Sequence, residues 1–187
     1  MEISQQQINI FDCDMYMVES PDDLTNFSCG NEDLDEFFSQ DAYLYDKQLL
    51  GKTYYFETKD SHNIIGAFTV ANDSIKASLI SKAIRNKINR KIPNDKRTRS
   101  YPAVLIGRLG VSKDIIGGGI GSQIVDYVKK WFSQHNNKSG CRYVVVDAYN
   151  LPNVLSFYEK NEFHYLYASE DEERTTFGLA EGEHLNS

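Results

Sequence analysis

The chain has 187 residues, close to the size of one domain, with 41% apolar and 25% charged residues, the make-up of an ordinary globular protein. Its 12 glycines and 4 prolines are too few for a fibrous or low-complexity chain, and this length buries enough surface to fold without a disulfide or metal staple. The formal charge of −7 tells against a chain that is basic throughout.

In chain order, the polar start Met1 to Asn9 has no basic flank and no apolar stretch, so it is not read as a secretory signal. Ile8 to Val18 is β-prone and leads into a turn at Ser20-Pro21-Asp22-Asp23. Leu34, Phe37, Phe38, Ala42, Tyr45 and Leu49 recur at three- and four-residue steps, which predicts an amphipathic helix capped by Asn31 or Asp33. Lys52 to Thr58 and Asn63 to Ala71 read as two strands joined by a turn at Asp60 to Asn63. Leu79, Ile80, Ala83, Ile84 and Ile88 form a second helical face, ended by Pro93. Ala103 to Val111 predicts a strand and Gly119 to Phe132 a helix. Tyr143 to Tyr149 is a near-continuous apolar strand of the kind covered on both faces. Pro152 starts a helix through Lys160, and Phe163 to Ala168 and Thr175 to Leu179 complete the sheet. Strands and helices alternate in the second half, which indicates an α/β or α+β layered fold. Without a repeat or a linker, residues 1–187 read as a single domain.

The longest apolar runs, Ala103 to Gly107 and Tyr143 to Val146, fall far short of the roughly 20 residues of a membrane span. Cys13, Cys29 and Cys141 are widely spaced with no CxxC pair, consistent with thiols in a reducing cytoplasm. His62, His135, His164 and His184 show no zinc spacing. The expectation is a cytoplasmic protein with no membrane segment and no metal. Charge is segregated: residues 76–100 carry nine basic residues and one acid, a net +8, which leaves −15 for the rest. Such a segment suits an anionic partner, and equally a solvated helix face balanced by an acidic body.

The most informative stretch is Leu105-Ile106-Gly107-Arg108-Leu109-Gly110-Val111, followed after five residues by Gly117-Gly118-Gly119-Ile120-Gly121. A strand, a short loop and a glycine-rich turn open directly into a helix. Glycines let successive N–H groups converge, and the helix start adds its free N–H groups and positive dipole end. Together they form an anion site suited to a phosphate or pyrophosphate. GxGxxG fails at Ser122 and GxxxxGK[ST] is absent, so neither nucleotide-binding fold is supported.

These residues resemble the GNAT N-acetyltransferases, whose acetyl-CoA signature Q/R-x-x-G-x-G/A aligns with Ile116-Gly117-Gly118-Gly119-Ile120-Gly121. Phe157-Tyr158-Glu159-Lys160-Asn161-Glu162-Phe163 resembles the family's FYEK-x-GF segment. Phe27-Ser28-Cys29-Gly30 with Leu34-Asp35-Glu36-Phe37, and Leu105 to Val111 against LLGRLAVD, resemble the branch rich in toxins that acetylate aminoacyl-tRNA. Ile116 stands where the family has Gln or Arg, and Glu162 where it has glycine.

The resemblance implies a mixed, mostly antiparallel central sheet of six to seven strands flanked by helices. It also implies an acyltransferase that moves an acetyl group from acetyl-CoA to a primary amine. Leu109, Gly110 and Val111 would bind the pantetheine arm as an added strand, Gly117, Gly118, Gly119, Ile120, Gly121 and Ser122 the pyrophosphate, and Asn153, with Asn150 beside it, the CoA arm. Tyr158 would be the general acid that protonates the leaving thiolate; as one tyrosine on an apolar helix face it can equally be packing. For the general base Asp147, Glu57 and water stay open, with a hydrogen-bonded strand end as the structural reading of Asp147. Arg108 reads as an ion pair inside the sheet or as a group orienting an acidic acceptor. The acceptor stays open between small amines, proteins and aminoacyl-tRNA held through segment 76–99. A homodimer and an antitoxin partner follow from the same resemblance, and a non-catalytic CoA-binding module is the alternative from another class.

Overall fold

The computed structural model describes residues 8–90, 92–93, 98–115, 118–137, 139–168 and 174–180. Seven strands form one sheet in the order β1-β2-β3-β4-β5-β7-β6. They are β1 (Asp14–Met17), β2 (Lys52–Glu57), β3 (Ile64–Lys76), β4 (Ser100–Val111), β5 (Tyr143–Tyr149), β6 (His164–Ala168) and β7 (Arg174–Ala180). β1 with β2, β2 with β3, β5 with β7 and β6 with β7 are antiparallel, and β4 with β5 is parallel. The mixed, mostly antiparallel sheet expected from the motifs is therefore present with seven strands. The chain divides into two compact units, 1–71 with 107–128 and 72–106 with 129–187.

In the first unit the helical run opens at α1 (Glu32–Glu36), widens into a π-helical turn at Phe37–Asp41 and ends as α2 (Ala42–Lys47). Asn31 is the cap, its side chain accepting the Leu34 N–H at 3.1 Å, because Asn offers an oxygen to the otherwise unsatisfied first turn. The apolar steps read from the sequence bury Phe37, Phe38 and Ala42 against Val18, Leu24, Phe27 and Ala67. Leu49 departs from that face and is 83% exposed. It lies beyond the end of α2 in a left-handed turn, φ +58°, where helical periodicity no longer sets its direction. From α4 (Ile120–Phe132), Ile120, Ile124, Val125 and Val128 are buried, one stripe at the helical period.

In the second unit α3 (Lys82–Asn89) is capped by Ser81, and α5 (Pro152–Lys160) begins on its proline, which needs no N–H at that position. The core gathers Ile75, Ala77, Ile80, Tyr101, Ala103, Tyr143 and Val145. Leu79, expected on the buried helical face, is exposed because it precedes the helix, in a turn closed by its N–H on the Lys76 carbonyl.

Candidate functional site

In the first unit, β4 delivers Leu109, Gly110 and Val111 as its last three residues. Its parallel register with β5 runs from Ala103 opposite Tyr143 to Ile106 opposite Val146, and β4 continues five residues beyond. Gly110 lies at a close approach. A side chain there would begin 3.0 Å from the Phe38 ring and 3.2 Å from the Cys29 Cβ, tighter than most Cβ contacts, so those two side chains would have to give by a few tenths of an ångström. The chain turns through Lys113–Ile115 and enters α4.

Gly119 has φ +70°, a conformation glycine takes without strain, and a side chain added there would meet nothing within 4 Å. Its carbonyl accepts the Gln123 N–H at 3.1 Å, so helical bonding starts here. The N–H groups of the first turn, from Ile120 and Gly121 onward, precede any intrahelical acceptor. An open, glycine-led helix start of this kind fits a phosphate group. Ile116 and Gly117 lie outside the described residues.

In the second unit α5 carries Tyr158. Its half-buried ring meets Phe157 edge-on at 5.1 Å and Phe163 at 5.5 Å. Burial pushes the phenol up to about 12, so it is a neutral O–H at physiological pH, able to give a proton rather than to take one. The helix closes with the Phe163 N–H on the Tyr158 carbonyl at 3.1 Å and the Glu162 N–H on the Glu159 carbonyl at 3.0 Å. That is a Schellman end, with Glu162 at φ +70° where glycine is usual. A turn that usually needs glycine thus forms here with glutamate. The Glu162 carboxylate lies 3.6 Å from the Lys129 ammonium.

Asn153 is exposed in the first turn of α5, and Asn150 accepts the Thr175 hydroxyl at 2.5 Å. Asp147 is exposed and accepts the Thr176 hydroxyl at 2.7 Å, which matches the hydrogen-bonded strand-end reading. Glu57 is paired with His62 Nδ1 at 2.6 Å. Arg108 makes no ion pair among the described residues. Its guanidinium lies 4.8 Å from the Phe37 ring centroid and donates to the Gly107 carbonyl at 3.0 Å, so an aromatic face and a carbonyl replace the carboxylate expected of the sheet. Cys13, Cys29 and Cys141 form no disulfide. Among the described residues no cluster of three potential metal ligands occurs, and no helix is long and apolar enough to cross a membrane.

No protein-family model matches the sequence. Solved structures do. AtaT complexed with acetyl-methionyl-tRNAfMet superposes at TM-score 0.71, with 19% identity over 90% of this chain and 95% of that one. A tyrosine-to-phenylalanine mutant of KacT superposes at 0.70 with 20% identity over 90% and 95%. A mutant AtaT toxin bound to the C-terminus of the antitoxin AtaR and acetyl-CoA gives 0.67, 18%, 90% and 93%. The chain has the AtaT and KacT fold. In this AtaT-like fold the expectations about sheet and element order hold.

Three residues at the end of β4 are not predicted from the sequence as contributors. Asp35 holds the Ser28–Gly30 loop through the Ser28 hydroxyl and the Cys29 N–H, both at 2.7 Å, and Phe38 and Cys29 press on Gly110. The F-x-C-G and L-D motifs are the sequence signal that marks them.

Proposed function

We propose that the chain is an acetyl-CoA-dependent N-acetyltransferase whose acceptor is the amine of an aminoacyl-tRNA. The observation that carries the acetyl-CoA reading is the open helix start at Gly118, Gly119 and Ile120, entered from the strand that ends at Leu109-Gly110-Val111. Acetyl-CoA supplies an activated thioester carbonyl and a thiol leaving group. The N–H groups at the start of α4 hold its pyrophosphate by charge and hydrogen bonding. Leu109, Gly110 and Val111 offer strand-edge N–H and C=O groups to the pantetheine amides, and an N–H there stabilises negative charge on the carbonyl oxygen as the amine nitrogen bonds to its carbon. As the C–S bond breaks, the Tyr158 O–H gives its proton to the leaving sulfur. The attacking amine must be neutral, and its surplus proton passes to water or to a carboxylate that we leave unassigned.

The acceptor rests on charge and on a likeness. Lys76, Lys82, Arg90 and Arg99 are exposed in the second unit, and phosphate contacts by such cations dominate nucleic-acid affinity. AtaT, of the same fold, is solved with acetyl-methionyl-tRNAfMet and with the antitoxin AtaR. A protein antitoxin and a homodimer belong to this proposal as partners. The test is transfer of labelled acetyl from acetyl-CoA to charged tRNA, uncharged tRNA and small amines in parallel. Label on charged tRNA alone supports the reading. Label on free amines alone removes the tRNA acceptor, and acetyl-CoA binding with no transfer to anything favours a CoA-binding module.

A further inference from the structure

The chemistry proposed above leaves Asp35 unused, yet both of its carboxylate oxygens are engaged. Oδ2 accepts the Ser28 hydroxyl and Oδ1 the Cys29 N–H, each at 2.7 Å. These bonds fix a loop whose own groups grip the end of β4. The Ser28 carbonyl accepts the Lys113 N–H at 3.0 Å. The Cys29 Cβ and Sγ stand 3.2 and 3.3 Å from where a side chain at Gly110 would begin. The Ser112 N–H is held by the Ile65 carbonyl at 2.9 Å. Asp35 is itself anchored: α1 starts at the Asn31 cap, and the Ser39 hydroxyl bonds the Asp35 carbonyl at 2.7 Å. A carboxylate with two such donors is a rigid tie, because ionic hydrogen bonds are shorter and about twice as strong as neutral ones.

We infer that Asp35 is the positioning residue of the acetyl-CoA-binding strand: by ordering the Ser28–Gly30 loop it fixes the backbone from Gly110 to Lys113, and with it the strand end Leu109-Gly110-Val111 along which the pantetheine arm pairs. This inference rests on the acetyl-CoA reading. Asp35 acts through the loop and touches no ligand, so its loss weakens binding through misplacement of the strand. An error of about 1 Å at such a site is enough to matter.

The experiment compares Asp35→Ala, Asp35→Asn and Val18→Ala. Val18 is a buried member of the neighbouring core cluster and controls for lost stability. Acetyl-CoA affinity is measured by calorimetry, melting temperature alongside it, and amide exchange at Lys113 by NMR. Asp35→Ala is expected to weaken acetyl-CoA binding about tenfold, the equivalent of one lost charged hydrogen bond, and to speed exchange at Lys113. Asp35→Asn, whose amide oxygen still accepts the Cys29 N–H, is expected to recover most of the affinity. Val18→Ala is expected to lose melting temperature while binding within about twofold of wild type. Wild-type affinity in Asp35→Ala, or a loss in Val18→Ala that tracks its melting temperature, overturns the inference. Should wild type itself not bind acetyl-CoA, the functional reading fails separately. Faster exchange at Lys113 in Asp35→Ala then upholds the hold on the strand, and unchanged exchange overturns it.

Discussion

Two side chains carry opposite proton chemistry. Burial pushes the Tyr158 phenol up to about 12, so it stays protonated through the neutral range, and in the role proposed for it the acid is lost only as pH approaches that value. Tyr158→Phe is expected to lower transfer by roughly 10²- to 10⁴-fold, the usual worth of a general acid, with acetyl-CoA affinity unchanged. Equal loss of binding in a calorimetric titration would make Tyr158 a packing residue instead. At Asp35 desolvation opposes ionisation, but hydrogen bonds from Ser28 and Cys29 outweigh it and hold the carboxyl below the usual range. A folded-state value below the unfolded one adds stability above about pH 4, lost as pH falls through the folded value. Urea midpoints should therefore drop less between pH 7 and pH 3 in Asp35→Asn than in wild type; an identical drop contradicts the assignment.

Helix ends show where the sequence speaks and where it misleads. β5 and α5 have the bounds the sequence predicts, Tyr143–Tyr149 and Pro152–Lys160, because an unbroken apolar run and a leading proline are strong local signals. β3 runs on through Lys76 past the expected end at Ala71, since Asn72, Asp73 and Ser74 are exposed on the strand and their polarity reads as a loop. Leu49 and Glu162 occupy the left-handed position of Schellman ends, φ +58° and +70°, where no sequence rule expects leucine or glutamate. Leu49→Gly and Glu162→Gly should each raise stability by about 1 kcal/mol by relieving that backbone strain. Chemical unfolding reads the gain, and a loss in either variant would mean that side-chain contacts outweigh the strain. The glycine-led start of α4 was legible because glycine has few other uses before a helix. The Asp35 tie was not, because its carboxylate works on a backbone N–H six residues away and on a side-chain hydroxyl seven residues away.

Across the whole molecule, the two units are each built from two chain segments, and β3, β4 and α4 each cross from one to the other. We therefore propose that they unfold together, as one domain spanning residues 1–187; two calorimetric transitions would contradict this. At the same scale the charge segregation makes a distinct prediction. Binding of charged tRNA should weaken steeply with salt, and replacing Lys82 and Arg90 should lower the logarithmic salt slope by roughly one to two. A flat salt response would remove segment 76–99 as the nucleic-acid surface.

Calorimetric titration of acetyl-CoA into wild type and Gly118→Trp tests the central claim most directly. Gly118 has room for a Cβ at ordinary contact distances, 3.7 Å from the Ile120 side chain and 3.9 Å from the Ile115 carbonyl, so the substitution puts a bulky ring at the helix start. One-to-one binding in wild type, abolished in a Gly118→Trp protein of unchanged melting temperature, is the predicted result. Equal binding by both proteins, or none by wild type at millimolar acetyl-CoA, would contradict the placement of the cosubstrate at the start of α4.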